Sequence, residues 1–365
     1  MSKYLKKDRK KKITGCALLA AGFVLFFISR ISHGFAQWYS EHIYAALVGI
    51  IGRAAGLFPF SVSEMLLYAL LICIIVGVAA RKREWIWNFF VAACLLFFLY
   101  VINCGVNYNK ETFSEASGIS LEEYSVEELE EACLWLTEEV NKSGRAVLRD
   151  EDGVMRLPGE GSRQLAGENA AEAMKGLGNV YEELAGYYPS PKGLQSSWIL
   201  SVQQLSGIYS PFTVEANYNR DMTDYYIPFT MCHELSHLRG FMQEQEANFI
   251  AFLACRKSEE SEFRYSGNLV GWTYCMNVLY KVDYNKWEAI REKLSGEAEA
   301  DLAANREFWA SYDGAVAEVS NKVNDTYLKV NGQSDGVKSY DRMVDLIVSY
   351  YEKGDGLWTE NNGKK

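Results

Sequence analysis

The chain has 365 residues, 49% of them apolar and 14% aromatic, ample for a packed core beside any membrane part. Its net charge of −10 hides two opposite regions: residues 1–106 hold 12 Lys and Arg against 4 Asp and Glu, net +8, and the rest hold 25 against 43, net −18. An acidic second region without a basic stripe argues against nucleic acid as a partner, and no phosphate loop, dinucleotide fingerprint or internal repeat is present.

The N-terminus carries Lys3, Lys6, Lys7, Arg9, Lys10, Lys11 and Lys12, followed by an apolar run from Ile13 to Ile31. No small-x-small cleavage site follows and two more apolar runs do, so the run is predicted to be an uncleaved span. Val62 to Ala80, opened by the capping pattern Ser61-x-x-Glu64, is the second span; Trp85 to Val106, with Trp85 and Trp87 as interface anchors, is the third. Basic residues at 3–12 and at Arg81, Lys82 and Arg83, against a lone Arg53 in the 32–61 loop, put both basic segments in the cytoplasm and residues 107–365 outside it. Within that loop, Glu41 to Phe58 either lies in the membrane interface or packs on the spans as a short helix.

From Ser125, with Glu128 three residues on, a capped helix is predicted to about Asn141, then a hairpin from Arg145 to Leu157 around Asp-Glu-Asp-Gly. Residues 164–187 read as helix, and Ser197–Gln204 and Phe212–Tyr218 as strands. The second of these alternates strictly, with Thr213, Glu215 and Asn217 on its polar side. The stretch Pro211–Asn219 therefore suits either a sheet edge that holds an extended substrate or an ordinary internal strand. The remainder reads helical, over roughly 263–281, 284–295, 298–331 with a weak point at Asp313-Gly314, and 338–353. Cys16, Cys73, Cys94 and Cys104 lie in or beside the spans, and Cys133, Cys232, Cys255 and Cys275 are scattered beyond them without metal-ligand spacing.

Between the predicted strands and the C-terminal helices stands Cys-His-Glu-Leu-Ser-His-Leu-Arg-Gly at 232–240, followed by Glu244-x-x-Ala247-Asn248. Residues four apart on a helix lie one above the other, so His233 and His237 can offer ring nitrogens to one Zn²⁺, with Glu234 about 100° round beside the open position. Pro228 suits the first turn of that helix and Gly240 its stop. A catalytic zinc wants three protein ligands, and the other histidines, His33 and His42, belong to the membrane-proximal part, so the third should be an acid. Glu244 is the first one available, Glu246 is its rival, and Asn248, one turn beyond Glu244, is placed to hydrogen-bond a ligand histidine. Cys232 points about 100° away from His233, as a small core residue would. Tyr327, Tyr340 and Arg342 are candidates to stabilise an oxyanion, with a packing or surface role the alternative for each.

His-Glu-x-x-His followed by Glu-x-x-Ala-Asn resembles the metal-binding element of gluzincin metallopeptidases, over about twenty residues. That resemblance implies His233, His237 and Glu244 as zinc ligands and Glu234 as general base. The metzincin pattern fails at Gln243, where that group has its third histidine. More widely, the three apolar segments with Gly-Ile-Tyr-Ser-Pro-Phe-Thr-Val-Glu-Ala-Asn (207–217), His-Glu-Leu-Ser-His-Leu-Arg-Gly-Phe (233–241) and Asn-Asp-Thr-Tyr-Leu-Lys (324–329) look like a bacterial membrane family, domain-of-unknown-function family 3810.

The expected architecture is α+β and mainly α: a three-span region, residues 1–106 with spans at about 13–31, 62–80 and 85–106, then an extracytoplasmic zincin-like domain with a small sheet, residues 107–365. The expected activity is zinc-dependent peptide hydrolysis at the outer side of a bacterial cell membrane, with the bilayer and a peptide as partners. The alternatives are an inactive zincin-like sensor or scaffold, and a non-peptidic amide hydrolase of envelope material. An intramembrane protease is disfavoured, because residues 220–260 carry polar residues every few positions and no 18-residue apolar run.

Overall fold

The computed structural model describes residues 2–80, 84–119, 123–159, 161–331, 333 and 342–353. It divides into two compact units, residues 1–111 with 210–215, and residues 112–209 with 216–365.

In the first unit, helix α1 (Ser2–Ile31) leads to α2 (His33–Tyr39), α3 (Ala45–Leu47) and α4 (Arg53–Gly56), joined by π-helical turns at Ser40–Tyr44 and Val48–Gly52 into one helical stretch. Helices α5 (Val62–Ala80) and α6 (Glu84–Tyr100) follow. Three segments, Lys7–Ile31, Val62–Ala80 and Trp85–Asn109, are long and apolar enough to cross a membrane. Ile72, Ile75 and Val78 on α5 are each at least 60% exposed, an uncovered apolar surface that suits an apolar surrounding. Helix α1 packs along α6, with the rings of Phe23 and Phe97 5.0 Å apart. The start of α5 is capped twice over: Ser61 Oγ accepts the Glu64 N–H at 3.2 Å, and the Glu215 carboxylate accepts the Val62 and Ser63 N–H groups at 3.0 and 2.8 Å. Arg81, Lys82 and Arg83, on which the expected orientation partly rests, lie outside the described residues.

The second unit begins with the short helix α7 (Phe113–Ala116) and then α8 (Val126–Ser143), where Ser125 and Glu128 form the capping box their spacing predicts. The expected hairpin survives in miniature, as a bridge between Arg149 and Met155 closed by Gly153 at φ 77°. Next come α9 (Ser162–Gly178), strand β1 (Lys192–Gly193), α10 (Ser197–Ser201), β2 (Gly207–Ser210), β3 (Glu215–Tyr218), α11 (Ile227–Leu238), α12 (Glu244–Lys257) and α13 (Ser261–Val282). The chain continues through α14 (Tyr284–Arg291), α15 (Gly296–Ala310), α16 (Ala315–Val330) and α17 (Met343–Lys353). Helices α11, α12 and α13 pack in succession, α9 lies against α11 and α12, and α17 covers α8, α12 and α13. Within this core Asp301 is fully buried, and its carboxylate accepts from Arg149 Nη1 at 2.8 Å, from the Met155 N–H at 2.7 Å and from the Tyr265 hydroxyl.

Three expectations need correction, and one open alternative is decided. Ser197–Gln204 is not a strand: its first five residues form α10, because a short apolar run has no period that separates strand from helix. The helix predicted over 164–187 stops at Gly178, where the absent side chain lets the returning backbone of Leu184 and Ala185 close in on it. Residues 212–214 are a turn with Val214 at φ 53°, so the second strand starts only at Glu215. That strand, β3, is the middle of three in the order β1-β3-β2, and β1 pairs with it in parallel, Lys192 opposite Asn217. It is therefore the internal strand and not the edge. Thr213, Glu215 and Asn217, the polar side of that alternation, are all buried. The edge that lies against the His-Glu-x-x-His motif is β2, linked to β3 by a four-residue turn that only antiparallel neighbours can use.

Candidate metal centre

Helix α11 opens with Pro228 in its first turn, where a missing N–H costs no hydrogen bond. It closes on Gly240 at φ 101°, with the Gly240 N–H donating to His237 O at 2.9 Å and the Phe241 N–H to Ser236 O at 3.1 Å. This glycine-stopped turn satisfies two terminal carbonyls and folds Phe241 back over the helix. The Phe241 carbonyl comes to 2.8 Å from His237 Nδ1. An Nδ1–H donated there leaves the His237 Nε2 lone pair free for an ion. Helix α12 then starts at Glu244, where the positive helix end favours acidic residues.

The result is a compact donor set: His233 Nε2 lies 3.1 Å from His237 Nε2, Glu244 Oε2 lies 3.4 Å from His233 Nε2, and Glu244 Oε1 lies 3.7 Å from His237 Nε2. Tetrahedral ligands at about 2.0–2.1 Å from Zn²⁺ are separated by about 3.3 Å, so these spacings fit such an ion. His233, His237 and Glu244 are the group of His, Cys, Asp and Glu side chains that could hold a metal among the described residues. Glu246, the rival ligand, is occupied elsewhere: it accepts from the Ser114 N–H at 2.9 Å and from the Ser114 hydroxyl at 2.8 Å. Cys232 is fully buried and hydrogen-bonded to Cys255, in keeping with a core role.

Glu234 sits apart from the donors, on the side facing β2. A Cβ on Gly207 would come within 2.5 Å of Glu234 Oε1 and 2.9 Å of the Asn217 carbonyl oxygen, so only glycine lets the strand lie this close. The Tyr209 N–H donates to the Glu234 carboxylate, and Glu234 Oε2, buried, has no hydrogen-bond partner. Burial pushes Glu234 up to about 7, against the opposing pull of His233 and His237. Burial alone would lower His237, but the facing Glu244 carboxylate overrides it and raises the imidazole to about 9. For Glu244 the two imidazoles likewise outweigh burial and hold the carboxyl well below its ordinary range. Cation-favouring and anion-favouring groups thus converge on the same few ångströms.

Asn248 is buried one turn beyond Glu244, but the hydrogen bond expected from it to a ligand histidine is not formed. Its Nδ2 and His233 Nδ1 both lack partners, while His237 Nδ1 is taken by Phe241. The backbone carbonyl of the turn does what the asparagine was expected to do. Tyr327 lies on α16 with its side chain 39% exposed, Arg342 immediately precedes α17, and Tyr340 lies outside the described residues. Gly207, Tyr209, Phe241 and Ser114 were not singled out from the sequence. Of these, Gly207 alone carried a signal, a glycine opening the segment before the motif.

The features together define a mainly helical protein in which three apolar helices precede a His-His-Glu cluster, His237 buried and His233 and Glu244 partly exposed, with the carboxylate of Glu234 beside it. Residues 39–348 match the family described as Protein of unknown function (DUF3810), and the chain belongs to that family. No curated protein and no solved structure matches it.

Proposed function

We propose that this chain is a membrane-anchored, zinc-dependent metallopeptidase that hydrolyses peptide bonds outside the cytoplasm. The observation that carries the reading is the spacing of His233 Nε2, His237 Nε2 and the Glu244 carboxylate, 3.1–3.7 Å apart, with Glu234 on the adjoining side. Those three residues would hold the ion. When bound, Zn²⁺ lowers the pKa of a water toward about 7 and polarises a carbonyl. Glu234 takes the water's proton at Oε2 and delivers it to the leaving nitrogen. The Tyr209 N–H fixes the other side of that carboxylate, and the glycine at 207 keeps the strand out of its way. An extended peptide along the outer edge of β2 would bring its carbonyl to this point through main-chain hydrogen bonds, whatever its side chains.

Metal content and turnover of the purified full chain test the proposal. Wild type should retain about one Zn²⁺, Glu244→Ala should lose it, and Glu246→Ala should keep it despite releasing Ser114. Glu234→Gln should bind zinc normally, cleave nothing, and retain envelope peptides that wild type releases. Equal zinc in Glu244→Ala and wild type would overturn the ligand set; an unimpaired Glu234→Gln would overturn the mechanism.

A further inference from the structure

Helices α13, α14 and α15 border an open cleft of about 790 Å³ that the hydrolytic reading does not use. Its size is that of a small-molecule site, for which about 300–1,000 Å³ is usual. Tyr226, Tyr274, Tyr280, Trp287 and Trp309 line it, and none of the five is buried; Tyr280 is 54% exposed. Tyr280 and Trp287 pack ring against ring, centroids 5.1 Å apart, and present a part-exposed aromatic wall, with Tyr225 and Trp272 buried behind it.

The polar lining is one-sided. Among the described residues no Asp, Glu or Lys lines the cleft, although the chain beyond residue 106 carries a net charge of −18. The Arg291 charge is already used, by Glu299 at 2.7 Å and by the face of Trp287. The side chains of Asn277 and Arg306 make no hydrogen bond or ion pair among the described residues. Asn305 spends its Oδ1 on the Thr223 hydroxyl at 2.9 Å, leaving its amide hydrogens available. At the rim Gln204 holds the left-handed conformation, φ 56°, tied by its amide nitrogen to Asp313 at 2.5 Å.

Flat apolar faces suit the C–H faces of sugar rings, and donors without matching carboxylates suit a ligand rich in acceptors. We infer that this cleft binds a glycan whose pyranose rings carry carbonyl-bearing substituents, either acetamido or carboxylate groups. Among the described residues that line the cleft, Arg306 alone offers a cation without an ion-pair partner, and a nucleotide's phosphates would need more. The site stands independently of the metal reading, but it adjoins the same elements: Ser206 directly precedes β2, and Tyr226 directly precedes α11, about 10 Å of helix rise from His233.

The test is titration of the full chain in detergent, stripped of metal, with N-acetylchitotetraose, tetragalacturonate and cellotetraose, followed by tryptophan fluorescence and calorimetry. At least one of the first two should saturate below about 1 mM, with cellotetraose, which has neither substituent, at least about tenfold weaker. Tyr280→Ala and Trp309→Ala, both at uncovered positions, should weaken that binding about tenfold or more. Arg306→Ala should weaken tetragalacturonate selectively if the carboxylate is the partner, and spare N-acetylchitotetraose if the acetamido group is. Failure of both sugars to saturate, equal binding of cellotetraose, or binding untouched by either aromatic variant would overturn the inference. Zinc content and peptide cleavage play no part in the readout, so the two proposals fail separately.

Discussion

Glu234 is a carboxyl group in a place that resists its charge. In protein stripped of metal it ionises only near pH 7, whereas in the unfolded chain it does so near its ordinary value of 4.5. A folded-state value raised above the unfolded one means stability that is present at low pH and lost as pH climbs between the two, here on the order of 3 kcal/mol. Glutamine is neutral throughout and escapes that loss. Metal-stripped Glu234→Gln should therefore melt close to wild type near pH 5 and several degrees higher at pH 8; an offset that stays constant between the two pH values would contradict the burial argument. His233 and His237 could be picked out in the sequence because a four-residue interval on a helix is rigid geometry. The orienting acceptor for His237 could not, because it is a main-chain carbonyl created by the turn at Gly240.

Two elements decide whether the site is usable. Strand β2 lies against Glu234 only because residue 207 has no Cβ, so Gly207→Ala should push the carboxylate or the strand aside. Zinc content should be retained while turnover falls about a hundredfold or more, since a displacement of about 1 Å near the reacting atoms has that scale of effect. Full activity in Gly207→Ala would remove β2 from the site. Helix α15 contributes Asp301, whose carboxylate ties α15 to Arg149, Met155 and Tyr265. Asp301→Asn leaves Arg149 without its counter-charge in a largely buried setting, at a cost of about 3–5 kcal/mol; a melting temperature unchanged from wild type would count against that network. Capping residues made α8 legible, because Ser125 and Glu128 act within one turn. The edge of the sheet was not, because β1 is two residues beside a proline with no strand pattern, and only its pairing makes β3 internal.

At the scale of the whole molecule, three apolar helices and the basic residues at 3–12 and 81–83, against a lone Arg53 between residues 32 and 61, together predict an orientation. With basic residues held on the cytoplasmic side, reporter fusions after residues 35, 82 and 120 should read outside, inside, outside, and a cytoplasmic reporter at 120 would reverse the topology and with it the extracytoplasmic setting. If the proposed Zn²⁺ is bound, its removal should also lower the melting temperature of the full chain, by the free energy with which it binds the folded state alone. Sequence by itself determined what depends on local spacing and composition: the apolar segments, the capped helices, and two histidines one turn apart with Glu244 soon after. Only the tertiary structure decided which acid faces them, because Glu244 and Glu246 differ by two residues in sequence but open onto different neighbours, His233 and His237 for one and Ser114 for the other. It likewise decided that Glu234 meets β2 rather than solvent, since that contact joins residues 207 and 234 through the packing of a strand edge on a helix, which no local pattern encodes.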